Sequence, residues 1–384
     1  MLKPLIITSP NPFGTGGQVR NYYILKELIC KNLIKEGLLI VDSVSNSIIQ
    51  ELKDLGYKII TIKNISNTLE HEQYLVKVLL SKQREILENG EYDLVISQSE
   101  HAKYVQVAYV LHKLLKTPWT AILQSTLLLE PFRYRLSPVV TTRTLISLNL
   151  LNKTLVHTIS EAIPQILSSK GFNLNFWSLL DTPVGLEHEV IDNALKGLSG
   201  KHYDLAYMAR ITWGKGVLNL IYVVHKLKRA GLDVKVLIIG EFSNDTLKER
   251  FLGYAKKFNV LENFVFSGFT SGIEKYKLLS SAKVFVYPSK LDIFPISLLE
   301  ALAVGLPAVV LDAPFANSFG NSVIPVRGCD EMVEVIRTLL SDENLREALG
   351  NEARAFSRKF TCEAAARSEY KAYLKTLEWF IKYA

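Results

Sequence analysis

The chain has 384 residues, of which 48% are hydrophobic and 22% are charged. It is therefore long enough for two folded domains and too apolar to be a disordered or fibrous protein. Its formal net charge is +7, and residues 1–180 hold 19 Lys and Arg against 14 Asp and Glu. Such a basic surplus suits anionic lipid or a phosphate-bearing partner, and ordinary surface composition is the simpler explanation. No basic-aromatic motif accompanies it, so we do not expect nucleic-acid binding.

The cysteines and the hydropathy pattern indicate where in the cell the protein is located. Three cysteines, far apart and outside any metal-ligand spacing, predict reduced thiols, a cytoplasmic protein and no metal site. The first predicted strand begins at Pro4, which leaves no room for a signal peptide. The sequence has no uninterrupted run of about eighteen apolar residues, so it predicts no membrane-spanning helix. We therefore expect a soluble or peripheral protein.

The chain opens with a strand, a glycine-rich loop and a helix. Pro4–Thr8 is an apolar run of the kind buried in a parallel sheet, and an amphipathic helix follows from about Val19. The loop between them contains Gly14, Gly16 and Gly17, which let the backbone approach a ligand and permit positive φ angles. Such a loop lies at the carboxyl edge of an open sheet, where ligands bind. A plain flexible connection is the alternative.

Strands and helices alternate through the first half of the chain. Further strands are predicted at Leu38–Val44, Tyr57–Ile62, Asp93–Gln98, Trp119–Ser125 and Thr154–Ser160, with helices such as Glu70–Leu87 and Ala102–Leu115. Alternation of this kind builds right-handed βαβ units around a parallel sheet. We therefore predict a Rossmann-like domain that runs to about residue 180.

Polar residues after strand ends are candidates for chemistry in this domain. Gln124 can hydrogen-bond a hydroxyl but cannot take a proton at neutral pH, so it is excluded as a base. Glu100 or His101 could take or orient a proton from a bound hydroxyl. The simpler role of a helix-start histidine is favoured for His101. Arg20, just after the glycine-rich loop, is a weaker candidate for a phosphate contact.

Residues 127–153 mix long apolar side chains with Arg133, Arg135 and Arg143. An amphipathic basic stretch can lie on a membrane surface with its arginines among the headgroups. The alternative is a helix that packs on its own domain and leaves the guanidinium groups in water. Both interpretations stay open, and the second is favoured.

A second alternating series follows a linker placed at 181–203. Its strands are predicted at Leu205–Ile211, Val234–Glu241, Asn263–Gly268, Lys283–Ser289, Ala308–Asp312 and Val323–Val326. We therefore divide the chain into a first domain at 1–182, a second at 183–364, and a C-terminal helix at 365–384 that packs on the first domain.

Within the second series, residues 283–312 read as strand, loop, helix and strand. Pro295 suits the first helical position, and the helix is predicted to run to about Val304. The unpaired N–H groups of Ile296, Ser297 and Leu298 make its start an anion site that suits a phosphate.

Two carboxylates flank this predicted anion site. Asp292 precedes the helix and Glu300 lies one turn inside it. Carboxylates accept hydroxyl hydrogen bonds, which is the chemistry of sugar and ribose recognition. Taken singly, each has a simpler explanation, because Asp292 suits the positive end of the helix dipole and Glu300 suits a solvated helix position.

The two acids and the residues between them point to a family. The segment D-I-F-P-I-S-L-L-E-A-L-A resembles the E-x7-E element of the retaining nucleotide-sugar glycosyltransferases with the GT-B fold, particularly family 4. The resemblance implies that Asp292 contacts the donor sugar and that Glu300 binds the ribose. It also implies that the backbone of Phe294, Pro295, Ile296 and Ser297 holds the diphosphate. Asp292 replaces the usual Glu, and Pro295 stands where Gly is common.

Other elements match the same family in the same order. Gly16-Gly17 matches a pair that lies against the donor diphosphate and sugar, and P-V-G-L-E from Pro183 resembles the turn that enters the second domain. A-R-I-T-W-G-K-G resembles G-R-x4-K-G, which gives Arg210 and Lys215 to the diphosphate. Gly268 and Phe269 fall where the family binds the base.

The resemblance implies an α/β protein of the GT-B fold, with two Rossmann-like domains whose parallel sheets face across a cleft and a C-terminal helix that crosses back. It implies retaining transfer of a hexose from a UDP- or GDP-sugar, with UDP favoured, to a glycan or lipid-linked saccharide. No cofactor or metal is expected. The implied residues are Asp292, Arg210 and Lys215 as catalytic groups, and Arg20, Glu100, His101 and Gln124 on the acceptor side.

Two further expectations accompany this function. The basic first domain suggests a cytoplasmic protein that is peripheral on the cytoplasmic membrane face and meets an anionic surface there. The alternative function is a catalytically idle nucleotide-sugar-binding protein. It would suit three departures from the family pattern, which are Asp292 for the usual Glu, Ala209 for the usual Gly, and Gln124 where many members carry a histidine.

Overall fold

The computed structural model describes residues 1–42, 44–62, 82–126, 138–197 and 200–383. The chain forms two compact units, one of Met1–Gly185 with Cys362–Ala384 and one of Leu186–Thr361. The predicted domain boundaries, after residues 182 and 364, lie close to these divisions. The linker predicted at 181–203 is wrong, because most of that stretch belongs to the second unit and contains the helix His188–Leu195.

Strands and helices alternate along the described residues. The strands are β1 Pro4–Thr8, β2 Leu38–Asp42, β3 Lys58–Ile62, β4 Leu94–Ser97, β5 Trp119–Leu123, β6 Val156–Thr158, β7 Trp177–Leu179, β8 Tyr203–Met208, β9 Val236–Ile239, β10 Phe264–Gly268, β11 Ala282–Tyr287, β12 Ala308–Leu311 and β13 Ile324–Val326. The helices are α1 Gly16–Cys30, α2 Asn46–Asp54, α3 Ala102–Leu115, α4 Pro138–Leu151, α5 Ala162–Ser169, α6 His188–Leu195, α7 Val217–Arg229, α8 Asp245–Lys257, α9 Gly272–Ser280, α10 Ile296–Ala303, α11 Cys329–Ser341, α12 Glu343–Ser357 and α13 Cys362–Tyr383.

Each unit is built on one parallel sheet. The first sheet has the order β3-β2-β1-β4-β5-β6-β7, and the second has the order β10-β9-β8-β11-β12-β13. Neighbouring strands pair in parallel in both sheets. The predicted α/β class with two Rossmann-like units is confirmed.

The chain order reverses at the centre of each sheet. β1 lies beside β4 in the first sheet, and β8 lies beside β11 in the second. Ligands of open parallel sheets bind outside the carboxyl ends of the strands at such reversal points. The loops after these four strands contain most of the candidate residues, so the topology places those residues where a ligand is expected.

Two local predictions differ from the structure. The strand β7 was missed, because its three residues alternate between exposed and half-buried and show no apolar run. Helix α1 begins at Gly16 rather than near Val19. Of the predicted helix Glu70–Leu87, only the part within the helical residues 82–88 lies inside the described residues.

Packing fixes the position of α10, the helix that carries Glu300. Its leucines Leu298, Leu299 and Leu302 are fully buried, and burial of each stabilises the fold by roughly 1.5–3 kcal/mol. Gly305 ends the helix with a φ of 80°. A Cβ added at Gly350 of α12 would overlap the carbonyl oxygen of Gly305, so glycine allows the two chain segments to approach.

The C-terminal helix α13 belongs to the first unit and is fixed there by buried polar contacts. Thr182 N–H donates to Ser368 Oγ at 3.0 Å. The two ring nitrogens of His157 lie 2.7 Å from Ser178 Oγ and 2.8 Å from Thr376 Oγ1. Burial, helped by the charge of Lys375, lowers the pKa of His157 to about 3. The imidazole is therefore neutral and joins β6, β7 and α13.

The buried imidazole predicts a loss of stability in acid. Below pH ~6.5 the unfolded chain protonates His157 and the folded chain does not, so stability falls by about 1.4 kcal/mol per pH unit down to about pH 3. We expect wild type to lose ~1 kcal/mol more than His157→Gln between pH 7.5 and 5.5. Urea unfolding followed by tryptophan fluorescence measures the difference, and parallel pH profiles of the two proteins would contradict it.

Candidate functional site

The turn after β8 is pressed against the end of β11. Residues Trp213–Lys215 form one turn of 3₁₀ helix, and Gly216 follows with a φ of 74°. A Cβ at Gly216 would overlap the carbonyl oxygen of Pro288, so only glycine permits both the conformation and the contact. This contact holds Lys215 beside the loop that carries Asp292.

Lys215 and Asp292 form an ion pair at the centre of the second unit's candidate site. Lys215 Nζ contacts Asp292 Oδ1. Tyr287 Oη and Ser289 Oγ donate to Asp292 Oδ2 at 2.8 and 2.6 Å. Burial, followed by the charge of Asp292, raises the pKa of Tyr287, so its hydroxyl remains a donor. The Asp292 side chain is 14% exposed and therefore open to a small ligand group.

Arg210 does not join this cluster. Its side chain is exposed and forms no hydrogen bond or ion pair with the described residues. The structure therefore brings Lys215 to Asp292 and leaves Arg210 at the edge of the same turn, with its charge free to meet an anion.

The start of α10 lies next to Asp292. Pro295 is the residue before the helix, with an extended ψ of 114°, and is not its first helical residue as predicted. The first helical hydrogen bond runs from Leu299 N–H to the Pro295 carbonyl at 3.3 Å. The N–H groups of Ile296 and Ser297, like that of Leu298, thus have no partner inside the helix, and they make an anion site.

The Phe294 side chain belongs to the core. It is 8% exposed and stacks on Phe319, with ring centroids 4.9 Å apart. Only its backbone can therefore contribute to ligand binding, as the family resemblance implied.

Glu300 is buried one turn inside α10 and is paired with a lysine that belongs to none of the motifs in the sequence. Lys275 Nζ lies 2.5 Å from Glu300 Oε1, and Tyr276 Oη lies 3.3 Å from the same oxygen. Lys275 is one of many lysines on amphipathic helices, and only the packing of α9 beside α10 distinguishes it. No pattern in the sequence could have identified it.

Gly268 ends β10, and Phe269 follows it directly. Gly268 has a φ of 74° and its carbonyl accepts the N–H of Gly240 at 2.8 Å. The Phe269 side chain is 57% exposed. An exposed ring at a strand end is available to stack on a flat base.

In the first unit, Gly16 and Gly17 form the first turn of α1. Gln18 accepts the N–H of Thr15 at 2.9 Å and so closes the helix start as a capping box. Neither glycine has a positive φ, so the conformational freedom of glycine is not used at these two positions. A Cβ at Gly17 would lie 2.6 Å from Gln124 Oε1, which shows that Gly17 makes room for Gln124.

Gln124 is held by a buried polar network. Its amide nitrogen donates to Asn21 Oδ1 at 2.8 Å and to the Gln98 carbonyl at 2.7 Å. Gln124 Oε1 is buried and accepts no hydrogen bond from the described residues. A buried acceptor without a partner is costly, and a ligand hydroxyl would satisfy it.

The other acceptor-side candidates have structural contacts. Glu100 is 2% exposed and accepts the N–H of Gln124 at 3.0 Å and the hydroxyl of Ser125. Both carboxylate oxygens are engaged, so the predicted proton-accepting role of Glu100 is not supported. His101 is the exposed residue before α3 and packs edge-to-face on Tyr104 at 5.9 Å, which fits the simpler role.

The prediction that Arg20 contacts a ligand is wrong. The residue is 2% exposed, and its guanidinium donates to the Pro183 carbonyl at 2.5 Å and pairs with Glu369 Oε2 at 2.5 Å. Its position after an open loop suggested access to ligand, but helix α1 turns the side chain into the core.

Arg133 and Arg135 lie outside the described residues, so their predicted contacts stay predictions. Arg143 lies on α4, and its carbonyl accepts a hydrogen bond from Gln106 at 3.2 Å. None of the helices in the described ranges is both long and apolar enough to cross a membrane.

Comparison with known proteins finds similar glycosyltransferases. Residues 192–356 match the family model for glycosyl transferases group 1. The chain is 27% identical over 202 residues to the N-acetylgalactosamine-N,N'-diacetylbacillosaminyl-diphospho-undecaprenol 4-alpha-N-acetylgalactosaminyltransferase of Campylobacter jejuni, across 51% of this chain and 53% of that protein. It is 24% identical over 204 residues to the capsular polysaccharide biosynthesis glycosyltransferase CapM of Staphylococcus aureus, across 50% of this chain and 52% of that protein. The chain thus spans about half the length of these relatives.

Solved structures match over the whole chain. Anabaena Alr3699/HepE, in complex with UDP and glucose, has a TM-score of 0.75 at 16% identity, covering 98% of this chain and 100% of that one. WaaG, a glycosyltransferase involved in lipopolysaccharide biosynthesis, has a TM-score of 0.66 at 14% identity, covering 97% and 99%. The chain therefore shares the GT-B fold of these structures, and residues 192–356 resemble glycosyl transferases group 1, which agrees with the predicted class of a glycosyltransferase.

If Arg210 and Lys215 hold a diphosphate, their removal should weaken nucleotide binding. We expect each alanine variant to lose on the order of 1.5–3 kcal/mol of UDP affinity, the range for charged hydrogen bonds. Titration calorimetry measures it. Lys248→Ala, an exposed lysine on α8, is the control and should bind UDP as wild type does. Unchanged affinity in both site variants would rule out the assignment.

Proposed function

We propose that this protein transfers a hexose from a nucleotide sugar to a glycan or lipid-linked saccharide, with retention of configuration and without a metal ion. The observation that carries the proposal is the convergence of Lys215 and Asp292 beside the uncapped start of α10. This arrangement offers a cation and free N–H groups to a diphosphate, and carboxylates to the hydroxyls on either side of it.

The donor is proposed to lie along the start of α10. Its diphosphate accepts the N–H groups of Ile296 and Ser297 and meets Lys215, with Arg210 free to close on it from the turn. Asp292 then faces the sugar, while Glu300, one turn further on, faces the ribose. The complex of HepE with UDP and glucose supports UDP over GDP as the nucleotide, since that protein shares the fold.

The reaction is proposed to break the bond between the anomeric carbon and the diphosphate oxygen. Positive charge develops on the sugar ring and negative charge on the leaving diphosphate, which Lys215, Arg210 and the helix start stabilise. The acceptor oxygen bonds to the anomeric carbon on the face that the leaving group vacates, and its proton passes to the leaving phosphate oxygen. Lys215 and Arg210 supply the positive charge that a metal ion would otherwise supply, so EDTA should not lower activity.

An acceptor that carries a lipid-linked diphosphate is supported by two observations. The name of the Campylobacter relative places its acceptor on diphospho-undecaprenol. The first 180 residues of this chain carry a net charge of +5, from 19 basic and 14 acidic side chains. Such a surplus favours approach to phosphate groups at a membrane surface.

The enzyme and the idle binding protein are separated by sugar release. Purified protein is incubated with UDP-, GDP- and ADP-hexoses in EDTA without acceptor, and free hexose is measured. Slow release from one donor supports the enzyme, because water replaces the acceptor. Tight donor binding with no release, with or without a diphospho-lipid saccharide acceptor, would establish the idle protein.

The two carboxylates should separate in binding experiments. Glu300→Gln should weaken UDP itself, whereas Asp292→Asn should leave UDP affinity within a few-fold of wild type and depress transfer. The introduced amide keeps an oxygen for Tyr287 and Ser289, so the loop is retained. Calorimetry with UDP and UDP-hexose measures both, and the opposite pattern would mean that the donor runs the other way along the helix.

The membrane prediction for residues 127–153 has its own test. Replacing Arg133, Arg135 and Arg143 by Gln should lower sedimentation with anionic vesicles at low salt and spare donor hydrolysis, because each basic group near the surface contributes about 1 kcal/mol. The control replaces three exposed lysines of the second unit, Lys248, Lys256 and Lys257. Equal loss in both variants would show non-specific attraction, and no vesicle binding by wild type would favour a soluble acceptor.

A further inference from the structure

Lys275 lies outside every motif identified in the sequence, yet it contacts a proposed binding residue. It belongs to α9, and its Nζ lies 2.5 Å from Glu300 Oε1 across 25 residues of sequence. The Lys275 and Glu300 side chains are only 19% and 11% exposed. The pair is therefore largely shielded from water, unlike the many surface ion pairs that contribute little.

The neighbouring lysine on the same helix shows the contrast. Lys277 lies 4.0 Å from Glu274, with the two side chains 45% and 64% exposed. That pair joins successive turns of one helix and faces water. Lys275 instead gives up the freedom of a long side chain to reach a different helix, a cost that a functional contact would explain.

The two oxygens of Glu300 have different surroundings. Oε1 accepts from Lys275 and has Tyr276 Oη at 3.3 Å. Both of these contacts end on Oε1, and Oε2 accepts no hydrogen bond from the described residues. One oxygen is therefore fixed by protein donors, and the other keeps its lone pairs for a ligand hydroxyl.

We propose that Lys275 is a positioning residue that fixes the Glu300 carboxylate for a ribose hydroxyl and so sets selectivity for ribonucleotides over deoxyribonucleotides. The inference rests on the proposed function, in which Glu300 faces the ribose. A carboxylate fixed before binding loses no rotamer freedom when the nucleotide arrives, so the hydroxyl contact contributes more affinity. Without Lys275, Glu300 would retain only Tyr276 on Oε1 and could turn away.

The test compares UDP, 2′-deoxy-UDP and 3′-deoxy-UDP binding by calorimetry in four proteins. Wild type should bind UDP at least tenfold more tightly than one of the deoxy forms. Lys275→Met should weaken UDP and bring that preference down to about twofold. Lys275→Arg should restore most of the preference, and Lys277→Met should match wild type.

The possible outcomes distinguish a failure of the role proposed for Lys275 from a failure of the proposed function. If wild type prefers UDP and Lys275→Met keeps that preference, or weakens all three ligands equally, the inference fails and nucleotide binding stands. If wild type binds UDP no more tightly than the two deoxy forms, Glu300 does not recognise a ribose hydroxyl and the inference also fails. If wild type binds neither UDP nor GDP nor ADP, the proposed function and the inference fall together. Thermal unfolding of each variant identifies any loss of fold.

Discussion

The ion pair of Lys215 with Asp292 joins two loops that are 77 residues apart in the sequence, and the second unit's candidate site depends on it. One loop follows β8 and the other follows β11, the two strands at the centre of the second sheet. Gly216 makes the pairing possible because no larger residue fits against Pro288. The cation thus lies beside the start of α10, and its counter-charge is an acid that can also face a sugar. An incoming diphosphate would compete with Asp292 for the same lysine.

The first unit depends on a buried polar network of a different kind. Arg20 and Glu369 pair at side-chain exposures of 1% and 0%, and Glu369 also accepts Gln98 Nε2 at 2.7 Å and Tyr373 Oη at 2.5 Å. A buried pair costs desolvation of both charges, and the two further hydrogen bonds to Glu369 offset part of that cost. Here it ties α13 to α1 and, through Gln98, to the loop that holds Gln124. The C-terminal helix therefore helps to hold the segments that contain Gly17 and Gln124 in place.

Patterns in the sequence predicted the features of the fold that depend on interactions between residues close together in the chain. The apolar run Pro4–Thr8 and the amphipathic helix Ala102–Leu115 have the predicted bounds, since short-range periodicity determines them. The start of α1 was also visible in principle, because Thr15 and Gln18 have the spacing of a capping box. The burial of Arg20 and the pairing of Lys275 with Glu300 depend on which helices pack together, which no local pattern records. Candidate residues that belong to a sequence motif were therefore predicted. Residues whose role depends on tertiary packing were not.

The central claim is that the turn at Lys215 and the start of α10 together hold a nucleotide diphosphate. The most direct measurement is backbone-amide NMR of the deuterated protein during titration with UDP in EDTA. We expect the amide signals of Lys215, Gly216, Ile296 and Ser297 to shift together, with one saturation curve, and Lys215→Ala to weaken the binding that this curve measures. Saturable UDP binding that leaves these four amides unmoved, and shifts others in their place, would contradict the account.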